Sequence, residues 1–320
     1  MNTIRLNVNG LDFEVLMSGQ SDHLVLLLHG FPDNARSFVP LMRLLNDAGY
    51  ACAAPFMRGY HPTAVPAAVV ASGFNTIQVE QLAKDAEAIT MALKARFDFR
   101  DCYLVGHDWG AIAAYAAVAR NPGLFRKAVM MSVPPGPVFL RNLLRHPAQF
   151  KRSAYIFYFQ LPWLPERRIR SNKGRYIQRL WQAWSGEVSA YQERIEDVVD
   201  TLSRPENLRA ALACYRGLLR PLPRQWRPWN QSRRLLMASA SVPSLVLAGD
   251  RDRCIPPTMF SGCEAWLAPS GGEYRIITEA GHFLPLEATR SVAGAVLQFF
   301  RSSRNGETQS TTSRNPKGQL

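Results

Sequence analysis

The chain is 320 residues long and 47% hydrophobic, which suits a single α/β unit enlarged by an insertion, with enough apolar surface to bury a large core. Its formal charge is +13, and no apolar run reaches the roughly 18 residues that a membrane span needs. Five scattered cysteines (Cys52, Cys102, Cys214, Cys254 and Cys263) show no CxxC pair and no zinc-like spacing, so reduced thiols in a cytoplasmic protein are expected rather than disulfides or a metal site.

Met1–Asn9 alternates as a strand does, without the apolar run of a signal peptide. Thr3–Asn7 and Leu11–Ser18 read as a hairpin around Asn9-Gly10. Leu24–Leu28 is a short continuous apolar run, the mark of a strand buried on both faces. Ser37–Ala48 has helical spacing through Phe38, Leu41, Leu44 and Leu45 and ends at Gly49. Tyr50–Pro55 reads as a second buried strand and Val79–Phe97 as a long amphipathic helix. Cys102–Gly106 is a strand, Trp109–Arg120 an alanine-rich helix, and Lys127–Ser132 another strand. Strands alternating with helices predict a parallel sheet covered on both sides.

The alternation then stops. From about Pro134 to Ser241 the chain is rich in Arg, Trp, Tyr and Pro, with helical stretches at Arg175–Trp184 and Asn207–Leu219. Residues 141–234 hold 19 Lys and Arg against 7 Asp and Glu, a local charge of +12. Such a patch could steer anionic substrates or bind membrane surfaces or nucleic acid. No nucleic-acid motif accompanies it, so it is read as a solvated, arginine-rich helical surface, with no nucleic-acid partner and no stable membrane span. Alternation resumes with the strand Pro243–Gly249, a helix near Phe260–Leu267, the strand Glu273–Thr278 and the helix Ala288–Arg301. The expected division is a discontinuous core of 1–134 and 242–301, a helical insertion of 135–241, and a polar, disordered tail of 302–320.

Four motifs carry the chemistry. In Val105-Gly106-His107-Asp108-Trp109-Gly110-Ala111 a buried strand runs through G-x-D-x-G into a helix. A turn that tight needs its glycines, and it thrusts the side chain at 108 out at the helix N-terminus, where an anion is stabilised. This resembles the nucleophile elbow of α/β-hydrolases, with Asp where esterases and lipases carry Ser. In an isolated match Asp108 would be an ordinary helix cap; the other three motifs argue otherwise.

The resemblance implies roles for those motifs. Leu28-His29-Gly30-Phe31-Pro32 follows the first buried strand, where this fold places one oxyanion-hole amide, so the Phe31 and Trp109 N–H groups would face a developing oxyanion. His29 and His107 are read as packing residues. In Gly249-Asp250-Arg251-Asp252 the fold's G-x-x-D habit selects Asp252 as the acid, with Asp250 as runner-up. In Ala280-Gly281-His282-Phe283, His282 is the base, and the order nucleophile, acid, histidine is that of α/β-hydrolases.

An aspartate attacks a saturated carbon bearing a leaving group, and water activated by histidine then hydrolyses the alkyl ester. The elbow therefore resembles those of epoxide hydrolases and haloalkane dehalogenases, over residues from about 3 to 300 and most weakly between 140 and 240. An epoxide oxygen leaves only with help from a donor, and epoxide hydrolases use two tyrosines of the helical cap. Tyr155, three residues before Tyr158-Phe159-Gln160, looks like the first of these, with Tyr158 as the fallback; Tyr215-Arg216 looks like the second. The alternative for both is packing in the cap. Phe31 stands where many dehalogenases have Asn, and Ala111 to Ala114 lacks the arginines of fluoroacetate-type dehalogenases; Arg58-Gly59-Tyr60 is a loop common to the superfamily.

The sequence thus predicts an α/β-hydrolase fold with a mostly parallel sheet and an inserted helical cap. The expected activity is epoxide hydrolysis to a vicinal diol, without cofactor or metal, on a small electrophilic substrate. A haloalkane dehalogenase of the same fold, and a degenerate hydrolase that only binds a ligand, are the alternatives.

Overall fold

The computed structural model describes residues 1–65, 77–185, 188–219 and 226–302. The tail beyond Ser302, expected to be disordered, lies outside the described residues.

The chain opens with the antiparallel hairpin of β1 (Asn2–Val8) and β2 (Leu11–Ser18). Asn9 and Gly10 both take left-handed backbone, φ 47° and 75°, which is what a two-residue hairpin turn requires. Then follow β3 (His23–Leu28), α1 (Val39–Asp47), β4 (Ala51–Pro55), α2 (Val79–Phe97), β5 (Asp101–His107), α3 (Trp109–Arg120) and β6 (Ala128–Met131). The helix expected from Ser37 starts as a 3-10 turn over Ala35–Phe38, and Pro40 fits the first turn of α1 behind it.

Between β6 and the next strand lie the helices α4 (Gly136–Arg145), α5 (Ala148–Arg152), α6 (Ala154–Tyr158), α7 (Leu164–Arg170), α8 (Arg175–Ser185), α9 (Gln192–Ser203), α10 (Pro205–Leu219) and α11 (Trp226–Leu236). The sheet resumes with β7 (Ser244–Gly249), α12 (Cys263–Leu267), β8 (Glu273–Ile277), α13 (Leu284–Glu287) and α14 (Thr289–Arg301). The helix expected near Phe260–Leu267 is split in two, because Gly262 turns left-handed at φ 85°.

The strand order is β1-β2-β4-β3-β5-β6-β7-β8; β2 runs antiparallel to both its neighbours, β1 and β4, and the remaining neighbours pair in parallel. Leu24, Leu26 and Leu28 face one apolar cluster and Val25 and Leu27 the other, so the unbroken run in β3 is two alternating faces, both buried. Helices α2 and α3 contribute to the first cluster, α1 and α14 to the second.

Two registers decide where the site forms. Leu28 pairs with Gly106, so the turns after β3 and β5 leave the sheet side by side. Gly249 pairs with Ile277, which does the same for the turns after β7 and β8. All four turns lie beyond the carboxyl ends of parallel strands, where open α/β sheets hold their sites.

Candidate active site

Asp108 sits between β5 and α3 at φ 52° and ψ −117°, a backbone conformation that an ordinary residue holds only when its surroundings enforce it. Part of the enforcement is close packing: a Cβ on Gly106 would fall 2.3 Å from the Gly110 carbonyl oxygen. Gly30 is constrained by the aspartate itself, since a Cβ there would lie 2.2 Å from Asp108 Oδ1. With no side chain at 30, the Phe31 N–H reaches Asp108 Oδ1 and donates to it at 2.7 Å. Asp108 Oδ2 lies 3.7 Å from His282 Nε2, which has no hydrogen-bond partner among the described residues.

His282 is fully buried, and its Nδ1 donates to Asp252 Oδ2 at 2.9 Å. Asp252 is aimed by its own loop, because Oδ1 accepts the backbone N–H groups of Cys254 at 2.7 Å and Ile255 at 2.9 Å. Asp250 is exposed, and its Oδ1 accepts the Ala280 N–H at 3.2 Å. Of the two candidates, the contact to His282 is made by Asp252. Burial alone would strip the proton from His282, but the charges of Asp252 and Asp108 outweigh it and raise the imidazole from 6.5 to about 10.

His29 and His107 are held in fixed neutral forms. His29 Nε2 accepts the Met57 N–H at 2.9 Å, so its Nδ1 carries the hydrogen toward the Gly30 carbonyl at 3.0 Å. His107 Nε2 donates to the His282 carbonyl at 2.8 Å, and the Ser132 hydroxyl donates to the same oxygen at 2.6 Å. Burial lowers both imidazoles to about 4. His107 and Ser132 therefore fix the backbone that presents His282, a job that the sequence alone did not reveal, because the contact spans 175 and 150 residues.

Above the turns lie the two tyrosines from the helical insertion. The Tyr215 ring meets Trp109 edge-on at 5.0 Å, Phe31 at 5.4 Å and Tyr155 at 5.8 Å. Tyr155 also packs on Trp184 at 5.2 Å, and Trp184 in turn on His282 at 5.0 Å. The Tyr215 hydroxyl is buried and makes no well-formed hydrogen bond among the described residues, although the Trp109 indole and the Tyr155 hydroxyl stand beside it. The Tyr155 hydroxyl lies 3.8 Å from Cys254 Sγ. Burial first, and the Asp108 charge with it, hold both phenols well above the usual tyrosine range, so both remain donors. Tyr158 points elsewhere: its hydroxyl donates to the Leu164 carbonyl at 3.3 Å, and its ring packs on Tyr176.

The residues next to each tyrosine tie the pair together. Gln160 Nε2 donates to the Tyr215 carbonyl at 2.9 Å. Arg216 donates through Nε to the Phe159 carbonyl at 3.1 Å and through Nη2 to the Leu161 carbonyl at 3.0 Å, while pairing with Glu166 at 2.8 Å. The insertion is latched to the Phe31 loop as well. Trp181 Nε1 donates to the Pro32 carbonyl at 2.9 Å, and Asn34 donates to Asp197 at 2.6 Å and Thr201 at 2.9 Å. Trp181 and Trp184, both missed in the sequence reading, are three apart on α8 and so share one helix face; that spacing was the available signal.

A family model described as the alpha/beta hydrolase fold matches residues 23–289. The chain is similar to epoxide hydrolase A of Mycobacterium tuberculosis, at 27% identity over 92% of this chain and 95% of that protein. It is also similar to human epoxide hydrolase 4, at 27% identity over 93% of this chain and 78% of the relative. Among solved structures, epoxide hydrolase A of Mycobacterium thermoresistibile superposes with a TM-score of 0.73 at 24% identity, covering 94% of this chain and 98% of the other.

Proposed function

The chain belongs to the α/β-hydrolase fold family, and from that premise we propose that it is an epoxide hydrolase, opening a small epoxide to a vicinal diol through an aspartyl ester. The two relatives described above, both named as epoxide hydrolases, align over more than nine-tenths of this chain. We further propose that 1–134 with 242–301 is the catalytic core and 135–241 a cap that carries the leaving-group donors.

In this mechanism Asp108 Oδ1, already held by the Phe31 N–H at 2.7 Å, stays the carbonyl oxygen of the ester, and Oδ2 attacks the epoxide carbon. The C–O bond breaks, and the ring oxygen takes hydrogen bonds from the Tyr155 and Tyr215 phenols and a proton from one of them, leaving a phenolate. Esterification removes the Asp108 charge, one of the two that hold a proton on His282. The imidazole thus passes its proton to that phenolate, which restores the phenol and frees Nε2 as a base, and Asp252 keeps the ring oriented. Water deprotonated by Nε2 attacks Asp108 Cγ, the oxyanion on Oδ1 meets the Phe31 and Trp109 N–H groups, and collapse releases the diol.

The observation that carries the reading is the Tyr215 hydroxyl, buried over Trp109 beside Tyr155 with its own hydrogen-bonding capacity unspent. A halide gains little from a phenol, whereas a strongly basic alkoxide gains much as its charge develops. The deciding experiment assays epoxides for diol and haloalkanes for halide in parallel. Diol without halide is expected; halide without diol would transfer the site to haloalkane dehalogenation, and no adduct with any electrophile would leave a ligand-binding protein.

A further inference from the structure

The segment carrying Tyr155 has an outer face unlike an ordinary protein surface. Tyr155 and Phe159 turn toward Tyr215, whereas Phe157, Leu161, Trp163 and Leu164 are 55%, 42%, 63% and 40% exposed. Leu161-Pro162-Trp163-Leu164 is a run of four consecutive exposed apolar residues. Water disfavours such a run unless something covers it in use. Trp163 even adopts left-handed backbone, φ 50°, directly before α7, and its indole gains no burial in return for that strain.

The same face is basic. Trp163, Glu166, Arg167, Arg170 and Arg209 line an open groove of about 580 Å³. Glu166 is taken by Arg216, whose side chain is almost wholly buried. That leaves Arg167, Arg170 and Arg209 exposed and outside any ion pair among the described residues. Lys151 and Arg152 on α5 are exposed as well.

We infer that this face docks on an anionic phospholipid bilayer, with Trp163 and its apolar neighbours at headgroup level and Arg167, Arg170 and Arg209 on lipid phosphates. An indole flanked by leucines and framed by arginines is the composition of an interfacial contact, where amphipathic rings sit among headgroups and cations meet anionic lipid. A nucleic acid would use the arginines and a stacking ring but has no use for Leu161 and Leu164. No described helix is long and apolar enough to cross a membrane. The docking does not depend on which reaction the site catalyses. It would set an apolar substrate dissolved in lipid against the outer side of the segment whose inner side carries Tyr155.

The test is co-sedimentation of the full chain with phosphatidylcholine vesicles, and with vesicles in which about one lipid in three is phosphatidylserine, at low and at physiological salt. Wild type should bind the anionic vesicles, more weakly as salt rises, and leave the neutral ones largely in suspension. Each cation at an anionic surface contributes about fivefold, so the triple variant Arg167→Glu/Arg170→Glu/Arg209→Glu should lose roughly 100-fold or more in binding. Trp163→Ser should weaken binding without changing its salt dependence. Turnover of a water-soluble epoxide should be the same in both variants, which separates loss of docking from loss of folding or of the site. Absence of binding to anionic vesicles at low salt, or binding that the triple variant retains, overturns the inference. So does tight binding of a single-stranded oligonucleotide by a chain that ignores vesicles.

Discussion

The turns at the sheet edge and the helices of the insertion hold their functional groups by different means. In the sheet, backbone does the placing. Register brings the turns together, the missing Cβ of Gly30 lets the Phe31 N–H reach Asp108, and two backbone N–H groups aim Asp252 at His282. In the insertion, side chains do it. Gln160 and Arg216 tie one tyrosine's segment to the other's, and aromatic edges position the rings. Backbone placement leaves little latitude, so disturbing a sheet-edge group should abolish a step; side-chain placement tolerates graded loss.

The sharpest way to break that contrast is His282→Gln. The amide cannot activate water, so overall turnover should fall by roughly 10⁶-fold, as for loss of a base from a triad, while attack by Asp108 continues. Intact-mass analysis should show one added substrate equivalent, on the Asp108 peptide. Retained turnover with an unmodified Asp108 would end the ester mechanism.

The tyrosines test the other half. Tyr155→Phe and Tyr215→Phe keep the rings and remove one donor each, and each should lower kcat/KM for an aryl epoxide by roughly 10-fold or more. The double variant should approach complete loss with an unchanged circular dichroism spectrum. Near-normal diol formation by the double variant would make both tyrosines packing residues of the insertion.

These expectations were unevenly legible in the sequence. Short unbroken apolar runs ending in glycine are a local signature, so β3, β5 and β7 and the turns after them could be read in order. Spacing selected Asp252 over Asp250, and it is Asp252 that contacts His282 while Asp250 faces solvent. The insertion offers no comparable signal. Its helices are amphipathic, which says that each has an inner face but not what that face meets. Trp184 against His282 and Trp181 against Pro32 are tertiary facts, and His107 with Ser132 on the His282 carbonyl joins strands far apart in the chain.

An effect smaller than that of His282→Gln should separate the two acids. Asp252→Asn removes the counter-charge of the imidazole and should slow ester hydrolysis by roughly 10⁴-fold, more than it slows alkylation. Stopped-flow measurement would see the ester accumulate. Asp250→Asn should change either rate less than about twofold. The reverse pattern would shift the acid by two residues.

The smallest effect distinguishes the two regions by pH alone. Burial lowers the proton affinity of His282, but Asp252 and Asp108 more than offset it and hold the imidazole at about 10 instead of 6.5. A raised folded value stabilises the protein fully below the unfolded value, and the stabilisation is lost as pH rises toward the folded one. From pH 7 upward the native chain therefore holds a proton that the unfolded chain has released, and stability should fall on the order of 1 kcal/mol per pH unit. The insertion's phenols, held well above their usual range by burial, start to contribute only near pH 10, where unfolded tyrosine ionises. The buried thiol of Cys254, raised in the same way, joins at about pH 8.5. Asp33, raised by burial to about 7, also loses its proton in this interval, so the share of His282 is the difference between the urea midpoints of wild type and His282→Gln at pH 7 and 8. Wild type should lose stability over that interval and His282→Gln should lose clearly less. Equal slopes would mean that the imidazole is not held protonated between the two carboxylates, and the ester step would then have no charge change to release its proton.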